Sequence, residues 1–303
     1  MSRSPSARTL QRGLRRADLA PAPAGRPAKG STPRATLPHD AWQMDAKELI
    51  KLNHGDLVSW LRLVDECSGA VLQTVVFPPR EMESSPPADV RDQLRRAFAR
   101  RGLPGSIRVD NGSPWGSKGD FPTELALGLI GLGIGMIWNT PNRPQENGVV
   151  ERSQGTGDRW CEPGTCAAPA ELQTRLDRMD QLHREVYPYR DRLSRLAYYP
   201  GLAHSGRPYA PESEADLWDW NRVTTHLSGY VATWQVSRTG MVSIYNRGYY
   251  VGRVFQGQEV YVTFDPETNE WVFSDAVGRE LRHNTAKEIS PECVMALEVT
   301  GRT

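Results

Sequence analysis

The 303-residue sequence predicts a mixed α/β domain that is followed by a small all-β domain. Residues 42–77 hold three consecutive strand patterns, which indicate a sheet. Residues 86–187 switch between helical and strand patterns, which adds helices to that sheet. Residues 230–274 hold five short strand patterns separated by turn residues. We therefore expect a mixed sheet with helices on both faces, and then a small five-stranded barrel.

The N-terminal segment, residues 1–38, is expected to be a basic arm. It carries eight Arg or Lys residues against one acid, on a chain whose net charge is only +1. Arg12, Arg15 and Arg16 surround leucines at helical spacing, a pattern that resembles the last helix of a helix-turn-helix. The rest of that unit is missing, which suggests an N-terminally shortened chain, and residues 20–38 form a Pro-rich linker. The arm is expected to contact DNA phosphates, with a solvated tail as the alternative.

The α/β region is expected to begin with an antiparallel meander of three strands, at Trp42–Asp45, Val58–Cys67 and Gly69–Phe77. Helices and strands then alternate along the chain. The expected elements are a helix at Val90–Arg101, a strand at Ile107–Asp110, a buried helix at Phe121–Gly135, a strand at Met136–Trp138, a helix from Gln145 that carries Glu151, and a helix at Ala168–Tyr187.

The C-terminal part is expected to be all-β. Val260, Val262 and Phe264 alternate with polar residues and mark one buried face. The expected strands are Tyr230–Val236, Met241–Tyr245, Tyr249–Phe255, Gln258–Phe264 and Glu270–Ser274. The predicted boundaries are an arm at 1–38, a core at 39–200, a connector at 201–228 and a barrel at 229–290.

Three carboxylates each fall at the predicted end of an element, far apart in sequence. Asp45 ends the apolar run 41–44, Asp110 ends a short strand before the turn Asn111-Gly112, and Glu151 lies near a helix start. Two Asp and one Glu suit hard divalent cations, because Mg²⁺ prefers oxygen ligands and keeps some of its waters. A pair of such ions can align the attacking and leaving oxygens of a phosphate.

Three motifs resemble those of the DDE transposase and retroviral-integrase superfamily, most closely the bacterial insertion-sequence transposases. They are Trp42-Gln43-Met44-Asp45, Val109-Asp110-Asn111-Gly112 and Pro144-Gln145-Glu146-Asn147-Gly148-Val149-Val150-Glu151-Arg152. The resemblance covers residues 40–200 and implies a ribonuclease H-like core. The C-terminal strands are similar to the SH3-like barrel of the same proteins, which contacts DNA or other subunits.

The resemblance leaves a choice between two glutamates for the third carboxylate. Thirty-five residues lie between Asp110 and Glu146, the spacing often associated with the family, whereas forty lie between Asp110 and Glu151. The motif register favours Glu151, because the family's glutamate follows the Gly-Val-Val sequence. Glu146 would then be a first-turn acid that the helix dipole stabilises.

Several polar residues near the motifs are candidate DNA contacts, with ordinary surface charge as the alternative. They are Lys47, Arg143, Arg152 and Arg159, together with Asn147, for which a plain helix cap is the alternative. Gly155 and Gly157 depart from the family pattern, in which helix formers and basic residues usually continue this helix. Each glycine costs roughly 1 kcal/mol relative to alanine within a helix. They put the length of the Glu151 helix in doubt.

The resemblance implies a DNA transposase in which Asp45, Asp110 and Glu151 bind two Mg²⁺ ions, for which Mn²⁺ can substitute. It would nick transposon ends and join the freed 3′-hydroxyls to target DNA, as a homo-oligomer assembled on DNA. The alternatives are a non-catalytic DNA-binding remnant and a ribonuclease H-like nuclease. The four cysteines do not form a disulfide framework, and no signal peptide or membrane span is evident, so a cytoplasmic protein is expected.

Overall fold

A computed structural model describes residues 34–78, 86–112, 114–116, 121–140 and 143–300. The predicted helix-turn-helix remnant, with Arg12, Arg15 and Arg16, lies outside these residues. From Ala35 onward the chain forms one compact unit. No helix of the described ranges combines the length and the apolar composition needed to cross a bilayer.

A five-stranded mixed sheet forms the centre of the N-terminal half. Its strands are β1 (Ala41–Lys51), β2 (Leu57–Asp65), β3 (Val71–Phe77), β4 (Ser106–Val109) and β5 (Gly135–Trp138). Their order is β3-β2-β1-β4-β5. The first three strands are antiparallel, which confirms the predicted meander, whereas β4 and β5 run parallel to β1. A parallel pair needs a crossover connection, and helices supply it.

The helices that flank this sheet are α1 (Pro87–Arg101), α2 (Glu124–Gly131), α3 (Gly148–Cys161) and α4 (Pro169–Glu185). A 3₁₀ turn, Pro144–Asn147, leads into α3. The helices α5 (Arg195–Tyr198), α6 (Glu214–Leu217) and α7 (Trp220–Ser228) follow. The mixed sheet flanked by helices agrees with the predicted mixed α/β architecture. Helix α2 ends before the predicted Gly135, because Gly133 adopts a left-handed backbone with φ +71° and β5 begins two residues later.

Strand β1 separates the two faces of the sheet by simple alternation. Trp42 and Met44 are fully buried in an apolar cluster that includes Leu94 and Phe98 of α1. Gln43 and Asp45 alternate with them along the strand and point to the opposite face, because successive side chains of a strand alternate. That face is polar and is covered by α3.

The C-terminal strands differ from the predicted five-stranded barrel, which is not confirmed. They are β6 (Ala232–Gln235), β7 (Met241–Ile244), β8 (Arg247–Tyr250), β9 (Glu259–Asp265), β10 (Glu270–Ser274) and β11 (Glu280–Thr285), followed by α8 (Pro291–Ala296). They form a four-stranded sheet of order β11-β10-β9-β6 and a separate β7-β8 hairpin. The sequence did not indicate β11, because its side chains are half-buried or exposed and lack apolar alternation.

The aromatic core of these C-terminal strands also includes a residue of the N-terminal half. The Phe121 ring centroid lies 4.7 Å from that of Trp271 and 5.5 Å from that of Trp234. Leu127 and Ile130 of α2 belong to the same buried cluster. The two halves therefore share a core, and the predicted boundaries at residues 200 and 228 stay a prediction.

Candidate active site

Asp45 lies on the polar face of β1. Strand β1 continues to Lys51, so the expectation that Asp45 ends a strand was wrong. The parallel register pairs Gln43 with Arg108, and two further residues along both chains bring Asp45 level with Asp110, directly after β4. The Nε2 amide of Gln154 on α3 donates to Oδ2 of Asp45 at 2.6 Å. Strand, strand end and helix therefore meet at this carboxylate.

The Asp110 carboxylate is held in a fixed orientation. Its Oδ1 accepts a hydrogen bond from the backbone N–H of Gly112 at 3.0 Å and from the indole N–H of Trp115 at 2.5 Å. Trp115 is buried, so the indole is itself fixed by packing. Among the described residues, Asp110 Oδ2 has no hydrogen-bond partner.

Glu151 and Glu146 lie in different surroundings. Glu151 is exposed in the first turn of α3, three residues before Gln154, and therefore on the same helix face. It has no hydrogen bond or ion pair to any other residue that the structure describes. Glu146 is buried, its Oε2 accepts from the backbone N–H of Thr140 at 2.7 Å, and its Oε1 lies 3.7 Å from Arg143 Nη1. Glu146 thus connects Thr140 and Arg143, which lie in the loop before α3, to the start of this helix.

Asp45 is affected by burial and by the charges of the other two carboxylates. Burial raises the pKa of Asp45 to about 7, and the negative charges of Asp110 and Glu151 contribute to the increase. Hydrogen bonds from the backbone of Ala46 and from Gln154 oppose it. Because such repulsion weakens with distance, it indicates that Asp110 and Glu151 lie near Asp45, and a bound cation would relieve it.

The donor set fits a hard divalent cation, because all three side chains offer carboxylate oxygens. Within the described ranges, however, no group of three or more His, Cys, Asp or Glu residues stands close enough to hold a metal ion. Asp45 and Asp110 are oriented by their neighbours, whereas Glu151 projects from the helix surface. The arrangement places the three candidate carboxylates on one face, but they are too far apart to surround a metal ion together.

Two of the candidate DNA contacts, Lys47 and Arg143, form ion pairs within the protein, whereas Asn147 is buried. Lys47 forms an ion pair with Asp158, and its ammonium lies 5.4 Å from the Trp60 ring centroid. Arg143 pairs with Glu146. Asn147 occupies the N-cap position of α3, but its side chain makes no capping hydrogen bond and its buried Oδ1 has no partner among the described residues.

Arg152 and Arg159 are exposed on α3. They are seven residues apart, which places them on the same face of the helix. Arg159 Nη2 donates to Thr156 Oγ1 at 3.4 Å. These two guanidinium groups lie beside the face that carries Glu151.

Helix α3 extends to Cys161 despite its two glycines, so the doubt about its length was unfounded. A Cβ atom on Gly157 would lie 2.7 Å from Arg62 Nη2, and the Arg62 side chain is fully buried. Gly157 therefore allows Arg62 to pack beneath the helix. Gly155 has no such close neighbour among the described residues, since a Cβ there would meet only Arg159 Nη1, at 3.7 Å.

Sequence reasoning assigned no role to several residues around the site. They are Gln43, Glu66, Arg108, Trp115 and Gln154, all of which are buried. The sequence alone could have indicated Gln43, because a polar residue between the apolar Trp42 and Met44 of a strand faces the side opposite the apolar core. The partners of Glu66, Arg108 and Gln154 are distant in sequence and leave no local pattern, whereas Trp115 bonds to Asp110 only five residues away.

The chain is similar to solved structures of viral integrases. The chain in a simian T-cell lymphotropic virus intasome bound to PP2A regulatory subunit B56 gamma has a TM-score of 0.46 and 18% identity, covering 89% of this chain and 86% of that chain. The catalytic core domain of BIV integrase has a TM-score of 0.40 and 20% identity, covering 54% and 94%. The HTLV-2 integrase catalytic core domain in complex with magnesium has a TM-score of 0.41 and 17% identity, covering 55% and 99%. No protein-family profile matches the sequence.

Proposed function

We propose that this protein is a DNA transposase of the DDE class, from a bacterial insertion sequence. It would nick transposon ends and join the freed 3′-hydroxyls to target DNA. The observation that supports the proposal is the convergence of Asp45, Asp110 and Glu151, from β1, the end of β4 and α3, on one polar face. Carboxylates that the chain brings together at the expense of mutual repulsion are typical of a functional site.

The chain's own residues would orient the reacting groups. Asp45, Asp110 and Glu151 would hold two Mg²⁺ ions, which when bound supply charge neutralisation and alignment for in-line phosphoryl transfer. Gly112 and Trp115 fix the orientation of Asp110, and Gln154 fixes that of Asp45.

The DNA backbone would lie across α3. Arg152 and Arg159 present two positive charges on one helix face beside Glu151, where phosphates on either side of the scissile bond would pass. Phosphate contacts of this kind set position and affinity and carry no sequence information. Lys47, Arg143 and Asn147, together with the basic arm that carries Arg12, Arg15 and Arg16, would add further contacts. Joining two ends requires two active sites, so a homo-oligomer assembled on DNA is part of the proposal.

The test is strand transfer and nicking in Mn²⁺, on a duplex taken from the chromosomal ends of the segment that encodes the protein. We expect Asp110→Asn and Glu151→Gln to lower the rate about a hundredfold or more, since loss of even an outer-shell partner typically costs 10–100-fold. Glu146→Gln is the matched control, because glutamine can still accept from Thr140, and it should leave the rate essentially unchanged.

Three outcomes would contradict parts of the proposal. Activity in Asp110→Asn would refute the assignment of the site. Activity in Glu151→Gln but not in Glu146→Gln would move the third carboxylate to Glu146. Cleavage of an RNA–DNA hybrid without strand transfer would favour the nuclease.

A further inference from the structure

We propose that Gln43 is a positioning residue that sets the register between β1 and α3, and thereby the separation of Asp45 from Glu151. The inference rests on the proposed function only in naming these two carboxylates as metal ligands. The contacts that carry it are independent of that assignment.

Strand β1 and helix α3 run side by side with matching repeats. Two residues of a strand advance about 6.6 Å, and four residues of a helix advance about 6 Å. Polar side chains at alternate positions of β1 can therefore meet α3 once per turn. The contacts are Gln43 with Val150, Asp45 with Gln154, and Lys47 with Asp158.

Gln43 makes the most complete of these contacts. Its Oε1 accepts from the backbone N–H groups of Val149 and Val150, at 3.1 and 3.0 Å. Its Nε2 donates to the carbonyl of Glu146 at 3.1 Å and to Glu66 Oε2 at 3.0 Å. Both donors and both acceptor positions of the amide are used, and the residue is fully buried. The first N–H groups of a helix have no partner within it, so a side chain that binds them fixes the helix start.

Glu66 and Arg108 hold the Gln43 amide in this orientation. Arg108 Nε donates to Glu66 Oε2 at 2.8 Å, the same oxygen that accepts from Gln43. A carboxylate accepts hydrogen bonds and cannot donate, so the NH₂ end of Gln43 must face Glu66. The carbonyl end is thereby directed at α3.

This network reaches each candidate carboxylate through a neighbour in sequence. Gln43 lies two residues before Asp45, Arg108 lies two residues before Asp110, and Val150 directly precedes Glu151. One buried hydrogen-bond network therefore links the three backbone segments that present the ligands. The Lys47 contact at the other end is partly exposed and is worth less, because solvent screens such pairs.

The test compares Gln43→Met with Gln73→Met in the full chain. Gln73 is also a buried glutamine of this sheet, on β3, and bonds to Gln93 and Arg100 instead of α3. We expect Gln43→Met to weaken Mn²⁺ binding, measured by calorimetry, by about 10–100-fold. Hydrogen exchange at the Val149 and Val150 amides should become faster. Gln73→Met should change neither, even where both variants lower the unfolding temperature.

A shorter amide keeps the proposal testable where Gln43→Met does not fold. Gln43→Asn keeps the polar group but is one methylene shorter, so it cannot bridge Glu66 and the start of α3 together, and it should weaken Mn²⁺ binding. Unchanged Mn²⁺ binding and amide exchange in Gln43→Met or in Gln43→Asn would overturn the proposal. If the unmodified protein binds no Mn²⁺, the proposed metal site fails, whereas amide exchange still decides the role of Gln43.

Discussion

Burial gives His183 and Asp45 opposite responses to pH. Burial lowers the pKa of His183 to about 4, and the positive charges of Arg195, Arg62 and Arg184 lower it further. Its Nδ1 has no partner among the described residues. The folded protein therefore disfavours protonated His183, whereas it disfavours ionised Asp45.

We predict that His183→Gln flattens the pH dependence of stability in acid. Unfolded histidine binds a proton near pH 6.5, whereas folded His183 does so only near 4. Its contribution to stability is present above the unfolded pKa and is lost as pH falls toward the folded pKa. Thermal unfolding at pH 7 and pH 4.5 measures the difference, and parallel profiles for the two proteins would contradict it.

At the scale of elements, α3 provides a matched pair of glycines. Gly155→Ala should raise the free energy of unfolding by up to about 1 kcal/mol, because alanine is the better helix former and the site has room. Gly157→Ala should lower it by about 1–3 kcal/mol, because the methyl group would overlap the Arg62 guanidinium. Urea unfolding of both variants measures the two changes.

Arg62 cannot easily move aside for that methyl group. Its Nε donates to Thr74 Oγ1 at 3.0 Å, its Nη1 donates to the Ser153 carbonyl, and its Nη2 lies 3.6 Å from Asp180 Oδ1. If Gly157→Ala stabilised the protein as much as Gly155→Ala, close packing of Arg62 would not explain the glycine.

At the scale of the whole molecule, Phe121 connects the N-terminal half to the C-terminal strands. It is buried against Trp271 and Trp234. We predict that Phe121→Ala lowers the free energy of unfolding by about 3–5 kcal/mol, the usual cost of deleting a buried phenylalanine. Val277→Ala is the control, because Val277 is 88% exposed. Denaturant unfolding monitored by tryptophan fluorescence measures both, and equal effects would contradict a shared core.

The Gln43 network shows why part of the site was hidden in the sequence. Asp110 follows from a strand pattern and a turn, and Asp45 from a short motif, all of which involve neighbouring residues. The bonds of Gln43 to Val149 and Val150 join residues 106 and 107 positions apart. Periodicity within a strand or a helix involves only nearby residues, so it cannot predict a hydrogen bond between residues so far apart.

The sequence by itself determined the antiparallel meander and the main helices, because periodicity and turn residues depend on neighbours along the chain, and the resemblance of three motifs indicated Asp45, Asp110 and Glu151 as candidates. Only the tertiary structure decided that the C-terminal strands form a four-stranded sheet with a separate hairpin. It also decided that Glu146 is engaged in a loop while Glu151 is exposed on the polar face. Alternation shows which side of a strand is buried, but the partner on that side depends on how distant segments pack.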